Sequence, residues 1–170
     1  ITASMHPDFV PGTTPEDQPG VDLALLKLEQ PLGTDFVPLD PRGAASITDG
    51  QPVDIAGFGV VAENRRNSAR ILRLAHLVSI GSLQVANRVT VVTDRRRMAE
   101  TSGAGACLGD SGGPMTSADG AIVAVTSWST GPAGKSCGLL SQGVLVAPQR
   151  SWIDGTLSRW GQSASWTNGR

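Results

Sequence analysis

Gly105-Ala106-Cys107-Leu108-Gly109-Asp110-Ser111-Gly112-Gly113-Pro114-Met115 is the stretch on which the reading of this chain turns. A serine between an aspartate and a glycine, with a cysteine four positions back, suits a nucleophile on a tight turn. Glycine at 109, 112 and 113 lets the backbone adopt positive φ and approach a ligand closely. In such a turn the amides of Gly109 and Ser111 can point together at one oxygen, which is how an oxyanion hole for acyl transfer is built. A bare Gly-Asp-Ser-Gly would read as a glycine-rich surface loop. The full Cys-x-Gly-Asp-Ser-Gly-Gly-Pro run is far more restrictive.

The same residues also satisfy Gly-x-Ser-x-Gly, the nucleophile elbow of α/β-hydrolases. That fold needs its acid and its histidine after the serine. Both histidines, His6 and His76, precede Ser111, and no alternating strand–helix pattern surrounds the motif. The elbow reading fails.

Working outward, 21 Gly, 11 Pro and many short Val- and Thr-containing segments favour an all-β protein with frequent turns. A formal net charge of -1 gives no argument for nucleic acid or an acidic membrane surface as partner. Arg65-Arg66 and Arg95-Arg96-Arg97 read as solvated loop clusters. No apolar stretch has the length of a membrane-crossing helix. The two cysteines, Cys107 and Cys137, do not have the usual zinc spacing, and nothing else suggests a metal or cofactor.

In chain order, residues 1–20 read as an irregular surface loop rich in Pro, Gly, Thr and acid groups. Val21-Asp22-Leu23-Ala24-Leu25-Leu26-Lys27-Leu28 suits a largely buried strand. The aspartate at its head is either a turn or edge residue, or a buried one whose charge is hydrogen-bonded. Strands are expected over 53–61, 88–93, 121–128 and 139–147. Residues 70–80 fit a strand or a helical turn by periodicity, and the all-β context favours the strand. Trp152, Ile153, Leu157 and Trp160 share one face of a short helix.

The run from Cys107 to Pro114 closely resembles the active-serine segment of the chymotrypsin/trypsin-like serine endopeptidases. Asp22-Leu23-Ala24-Leu25-Leu26 is similar to that family's Asp-Ile-Ala-Leu-Leu segment. His6-Pro7-Asp8-Phe9 resembles its His-Pro-x-aromatic segment, Gly57-Phe58-Gly59 its Gly-aromatic-Gly strand, and Trp152-Ile153 its C-terminal helix. The resemblance implies an all-β, chymotrypsin-like double β-barrel. Residues 1–45 would be the end of the first barrel and the crossing between barrels, and 46–148 the complete second barrel. A C-terminal helix would follow over 149–161, then a frayed tail over 162–170.

It also implies roles. Ser111 would be the nucleophile, Asp22 the carboxylate that orients the catalytic histidine, and Gly109 and Ser111 the oxyanion donors. Asp110 would pair with an α-amino group created by zymogen cleavage. Ser127-Trp128-Ser129 would bind substrate backbone as an added strand. Gly105 would form the base of the substrate pocket, with Ser129 and Gly143 on its walls and the loop Gly131 to Ser136 beside them. With no charge at 105, an uncharged, small-to-medium apolar side chain is expected before the scissile bond. Cys107–Cys137 would be the disulfide bracing that pocket, stabilising the fold by roughly 3–4 kcal/mol. Such a bond implies an oxidising compartment, hence a secreted, extracellular or periplasmic protein. Its partners would be protein or peptide substrates and protein inhibitors, with no nucleic acid and no membrane.

One element departs from the family. Its histidine lies in a Thr-Ala-Ala-His-Cys segment upstream of the aspartate, and nothing before Asp22 spells that run. His6 is expected on a surface loop and His76 as a satisfied structural histidine. Nor is Ile1 followed by Val-Gly-Gly. The expectation is an N-terminally incomplete endopeptidase, nearly inert as this chain. The alternative is a non-catalytic protease homologue that binds a protein through the old cleft.

Overall fold

The computed structural model describes residues 1–14, 17–43, 47–83, 89–94, 104–130 and 137–168, and among these residues the chain forms eight strands and one α-helix. The expected loop Gly131 to Ser136 and the Arg95 to Arg97 cluster lie outside the described residues. Strands β3 (Pro52–Gly57), β4 (Arg73–Leu83), β5 (Val89–Thr93), β6 (Pro114–Ser117), β7 (Ile122–Thr130) and β8 (Leu140–Leu145) close in the order β3-β4-β5-β8-β7-β6. Every pairing is antiparallel. Closure removes the exposed strand edges that would recruit other chains. Val53, Ile55, Leu77, Val92, Met115, Val123 and Leu145 fill the interior. Burying each such side chain is worth about 1.5–3 kcal/mol.

Outside the barrel, β1 (Thr2–Met5) and β2 (Ala24–Lys27) form a two-stranded sheet in the register Thr2↔Lys27. β1 falls within the stretch expected to be irregular; its Thr-Ala-Ser-Met sequence shows no hydrophobic alternation to announce a strand. β2 is shorter than the expected run over residues 21–28, because Leu23 N donates to Val21 O and folds the chain tightly at Asp22. It is also less buried than expected, with Leu26 at 63 % exposure. Only one side of this small sheet is covered, by a second apolar cluster of Val21, Leu23, Val144, Val146 and Ile153.

Two further departures bear on the site. The strand expected over 53–61 ends at Gly57, where the chain leaves the ladder. β6 starts directly out of the serine loop, at Pro114, where no strand was expected. Helix α1 (Arg150–Arg159) stands where it was expected, and no described helix is long and apolar enough to cross a membrane. The tail does not fray as expected: Trp166 and Thr167 are docked on the rest of the molecule.

The crossing segment is pinned to the barrel at Arg42, whose guanidinium pairs with Asp119 and donates to Ser117 Oγ at 3.0 Å. The Ser117 hydroxyl first, and Arg42 second, hold the Asp119 carboxyl below its ordinary value. A carboxyl depressed in the folded state stabilises it above the unfolded pKa and loses that contribution as pH falls through the folded pKa. Thermal melts of the protein and Asp119→Asn should therefore separate near neutrality, the parent melting higher. The gap should shrink once pH drops below the usual carboxylate value, near 4.

Candidate active site

The serine loop is shaped from within. Asp110 N donates to Cys107 O at 3.1 Å and Gly113 N to Asp110 O at 3.0 Å, while Gly109 and Gly112 take φ of 93° and 85°. β7 clamps the loop from outside, through Gly112 N to Thr126 O and Thr126 N to Gly113 O. The amides of Cys107, Asp110, Gly112 and Gly113 are thereby all engaged. Those of Gly109 and Ser111 donate to no protein acceptor among the described residues. A disulfide joins Cys107 to Cys137 at the base of the loop.

Ser111 Oγ donates to Ser127 O at 2.9 Å. Ser127 Oγ donates in turn to Asp22 Oδ2 at 2.6 Å. One residue thus ties the nucleophile candidate to the carboxylate candidate, and both bonds depend on a β-bulge. Thr126 pairs with Gly143 and Trp128 with Gln142, so Ser127 is the extra residue in β7. A bulge leaves that residue out of the ladder and re-aims it. Ser127 was expected only in the segment that binds substrate backbone, and no local signal announces its link to Asp22. Both earlier possibilities for Asp22 are partly realised: it sits on a tight turn, half-buried, with its charge hydrogen-bonded.

The Asp110 carboxylate accepts from Gly59 N at 2.7 Å and from Cys107 N at 2.9 Å. A Cβ at Gly57 would stand 2.0 Å from Asp110 Oδ1, and one at Gly59 2.6 Å. Both glycines are there to let the carboxylate in. Asp110 also borders a cavity of about 690 Å³ that runs past Val60 and Leu74 to Gly105.

Gly105 lies against β8, where a Cβ would be 2.9 Å from Ser141 Oγ, the group that accepts from Ala106 N at 2.8 Å. Ser129 pairs with Ser141 across β7 and β8, which brings Gly105, Ser129 and Ser141 together. Gly143 is set deeper, opposite Thr126, and the space its side chain would take is filled by Met115 Sδ at 2.7 Å.

Of the two histidines, His6 departs from expectation and His76 does not. His6 is buried at 7 % exposure, not on a surface loop. Its Nδ1 accepts from Asp8 N, and its ring packs 4.8 Å from the Trp152 ring. His76 is a satisfied residue, but on the outside of the barrel, where Asp54 faces it across β3 and β4 at 2.7 Å.

The comparisons with known proteins give the class, that of the trypsin-like serine proteases. The chain belongs to that family: the Trypsin family model matches residues 2–153. It is 33 % identical over 119 residues to human kallikrein-8, covering 68 % of this chain and 45 % of the kallikrein. To the Drosophila melanogaster serine protease ea it is 32 % identical over 126 residues, covering 67 % of this chain and 31 % of that protein. The chain thus spans less than half the length of these relatives. Among solved structures, mouse neuropsin superposes with a TM-score of 0.74 at 23 % identity, covering 92 % of this chain and 70 % of that one. Human heparin binding protein gives 0.69 at 22 %, covering 96 % and 68 %. The fold is chymotrypsin-like.

Ser127→Ala should leave the barrel folded but the Asp22 carboxylate without its hydroxyl donor. A hydrogen bond to a charged group is worth about 1.5–3 kcal/mol, less where the group is half-exposed. Urea unfolding should show a loss of about 1–2 kcal/mol, and Ser127→Thr, which keeps the hydroxyl, should recover most of it.

Proposed function

We propose that this chain carries the serine and aspartate of a serine endopeptidase, which hydrolyses protein or peptide substrates through an acyl-enzyme on Ser111. The observation that carries this reading is the path Asp22 Oδ2 – Ser127 – Ser111 Oγ, which puts the two groups within reach of one shared partner. In the family's chemistry an imidazole between them takes the Ser111 proton as Oγ attacks the scissile carbonyl. Asp22 orients that imidazole and stabilises its charged form. The amides of Gly109 and Ser111 hold the oxyanion of the tetrahedral intermediate. The imidazolium then protonates the departing amine, and water repeats the sequence to release the acid.

The imidazole comes from outside these residues, since His6 is committed to Trp152 and the Asp8 amide, and His76 to Asp54. Among the described residues, more than half of the exposed large apolar side chains fall in residues 1–39, among them Ile1, Met5, Leu26, Phe36 and Val37. That surface is the seat for the polypeptide that brings the histidine. Without it Ser111 is a weak nucleophile, and the isolated chain is nearly inert. Asp110, at the edge of the cavity, is the group that takes an activating α-amino terminus. The disulfide suits an exported protein in an oxidising compartment. Protein inhibitors would occupy the same cleft as substrate. The second reading, a non-catalytic homologue that binds a protein partner, is favoured by the commitment of both histidines elsewhere.

Fluorophosphonate labelling separates the two. The isolated chain should react at Ser111 slower by a factor on the order of 10³ or more than the same chain joined to a half-barrel segment bearing Thr-Ala-Ala-His-Cys. Ser111→Ala should abolish labelling of the hybrid. A folded hybrid that stays unlabelled would overturn the enzymatic reading.

Substrate preference gives an independent check. Ser141 and the absence of a charge at Gly105 favour a small-to-medium apolar residue before the scissile bond. A peptide library cut by the hybrid after Arg or Lys would refute this assignment.

A further inference from the structure

The family match ends at residue 153, yet the chain beyond it is built into the molecule. Helix α1 closes with Gly161 at φ 68°, Gly161 N donating to Ser158 O and Gln162 N to Leu157 O. This left-handed cap reverses the chain. Trp166 then lies back on the helix: its Nε1 donates to Asp154 Oδ1 at 2.8 Å, and the Arg150 guanidinium sits 5.0 Å from its ring. One residue on, Thr167 runs parallel to Arg42, with Thr167 N donating to Pro41 O and Gly43 N to Thr167 O. The other side of the crossing segment is held by Ile122, which exchanges bonds with Asp40 and Arg42. The tail therefore clamps the crossing segment against the barrel.

Trp166 also packs on the apolar cluster that contains Val21 and Leu23, the two neighbours of Asp22. A third tie runs from Lys27 Nζ to Trp160 O at 3.0 Å, at the C-terminal end of α1 where a cation is favoured. The β1–β2 unit has one covered face, and α1 and the tail supply much of that cover.

We infer that residues 162–168 form a strap that holds Asp22 in register with Ser127, with Trp166 as its positioning residue. The inference rests on the reading of Asp22 as the catalytic carboxylate, but its test does not require turnover. Amide exchange and the Asp22 carboxyl ¹³C resonance are compared in the full chain, in Trp166→Ala, in Trp166→Phe and in a chain ending at Gly161. Loss of the strap should speed exchange at His6, Val21, Leu23 and Gly43 by about tenfold or more, and leave β3 and β4 within about twofold. The Asp22 resonance should move toward that of free aspartate, and Trp166→Phe should restore most of its position.

Equal acceleration throughout the barrel would show a general stabiliser and overturn the inference. So would an unmoved Asp22 resonance. A failure of Ser111 to label in the hybrid counts against the enzymatic reading alone and leaves these measurements unchanged.

Discussion

The arrangement depends on one serine serving two partners from one position in a strand. In a regular antiparallel strand the carbonyl of residue 127 would belong to a ladder bond and its side chain to whichever face the pleat dictated. The bulge releases both. The carbonyl then takes the Ser111 hydroxyl, while Oγ reaches Asp22, 105 positions away in sequence. Their energies are small beside the apolar burial that closes the barrel. What they fix is geometry, the separation between Ser111 and Asp22.

A second constraint acts on the other flank of the serine loop. β3 stops at Gly57 so that the following turn can offer the Gly59 amide to Asp110, and two glycines stand where any side chain would strike the carboxylate. The loop is therefore held at three places: the Cys107 disulfide, the Asp110 carboxylate and the β7 backbone. Asp110 uses both its oxygens on backbone amides while bordering a cavity.

The two parts of the molecule differ in how they are held. The barrel has closed hydrogen bonding and its own interior, whereas the β1–β2 unit has two open edges and borrows its core from α1, Trp166 and the outer face of β8. Asp22 lies in the borrowed part and Ser111 in the self-sufficient one. The two are fastened to each other at Ser127 and through the apolar cluster around Val21 and Leu23.

Much of this was legible in the amino-acid order, because it is local. Glycines at 109 and 112 permit the positive φ that the loop adopts, Val89 to Thr93 is β-branched enough to be a strand, and the apolar face of 152–160 has a helical period. The family resemblance added the pairing of Cys107 with Cys137 and the barrel itself. What the order of residues could not decide involves partners distant along the chain. Trp152 buries His6, the Gly59 amide captures Asp110, Met115 fills the space at Gly143, and the tail docks on Arg42. Each is a contact between segments whose own patterns are compatible with exposure, so only the folded chain, where burial and hydrogen bonding are satisfied together, selects among them.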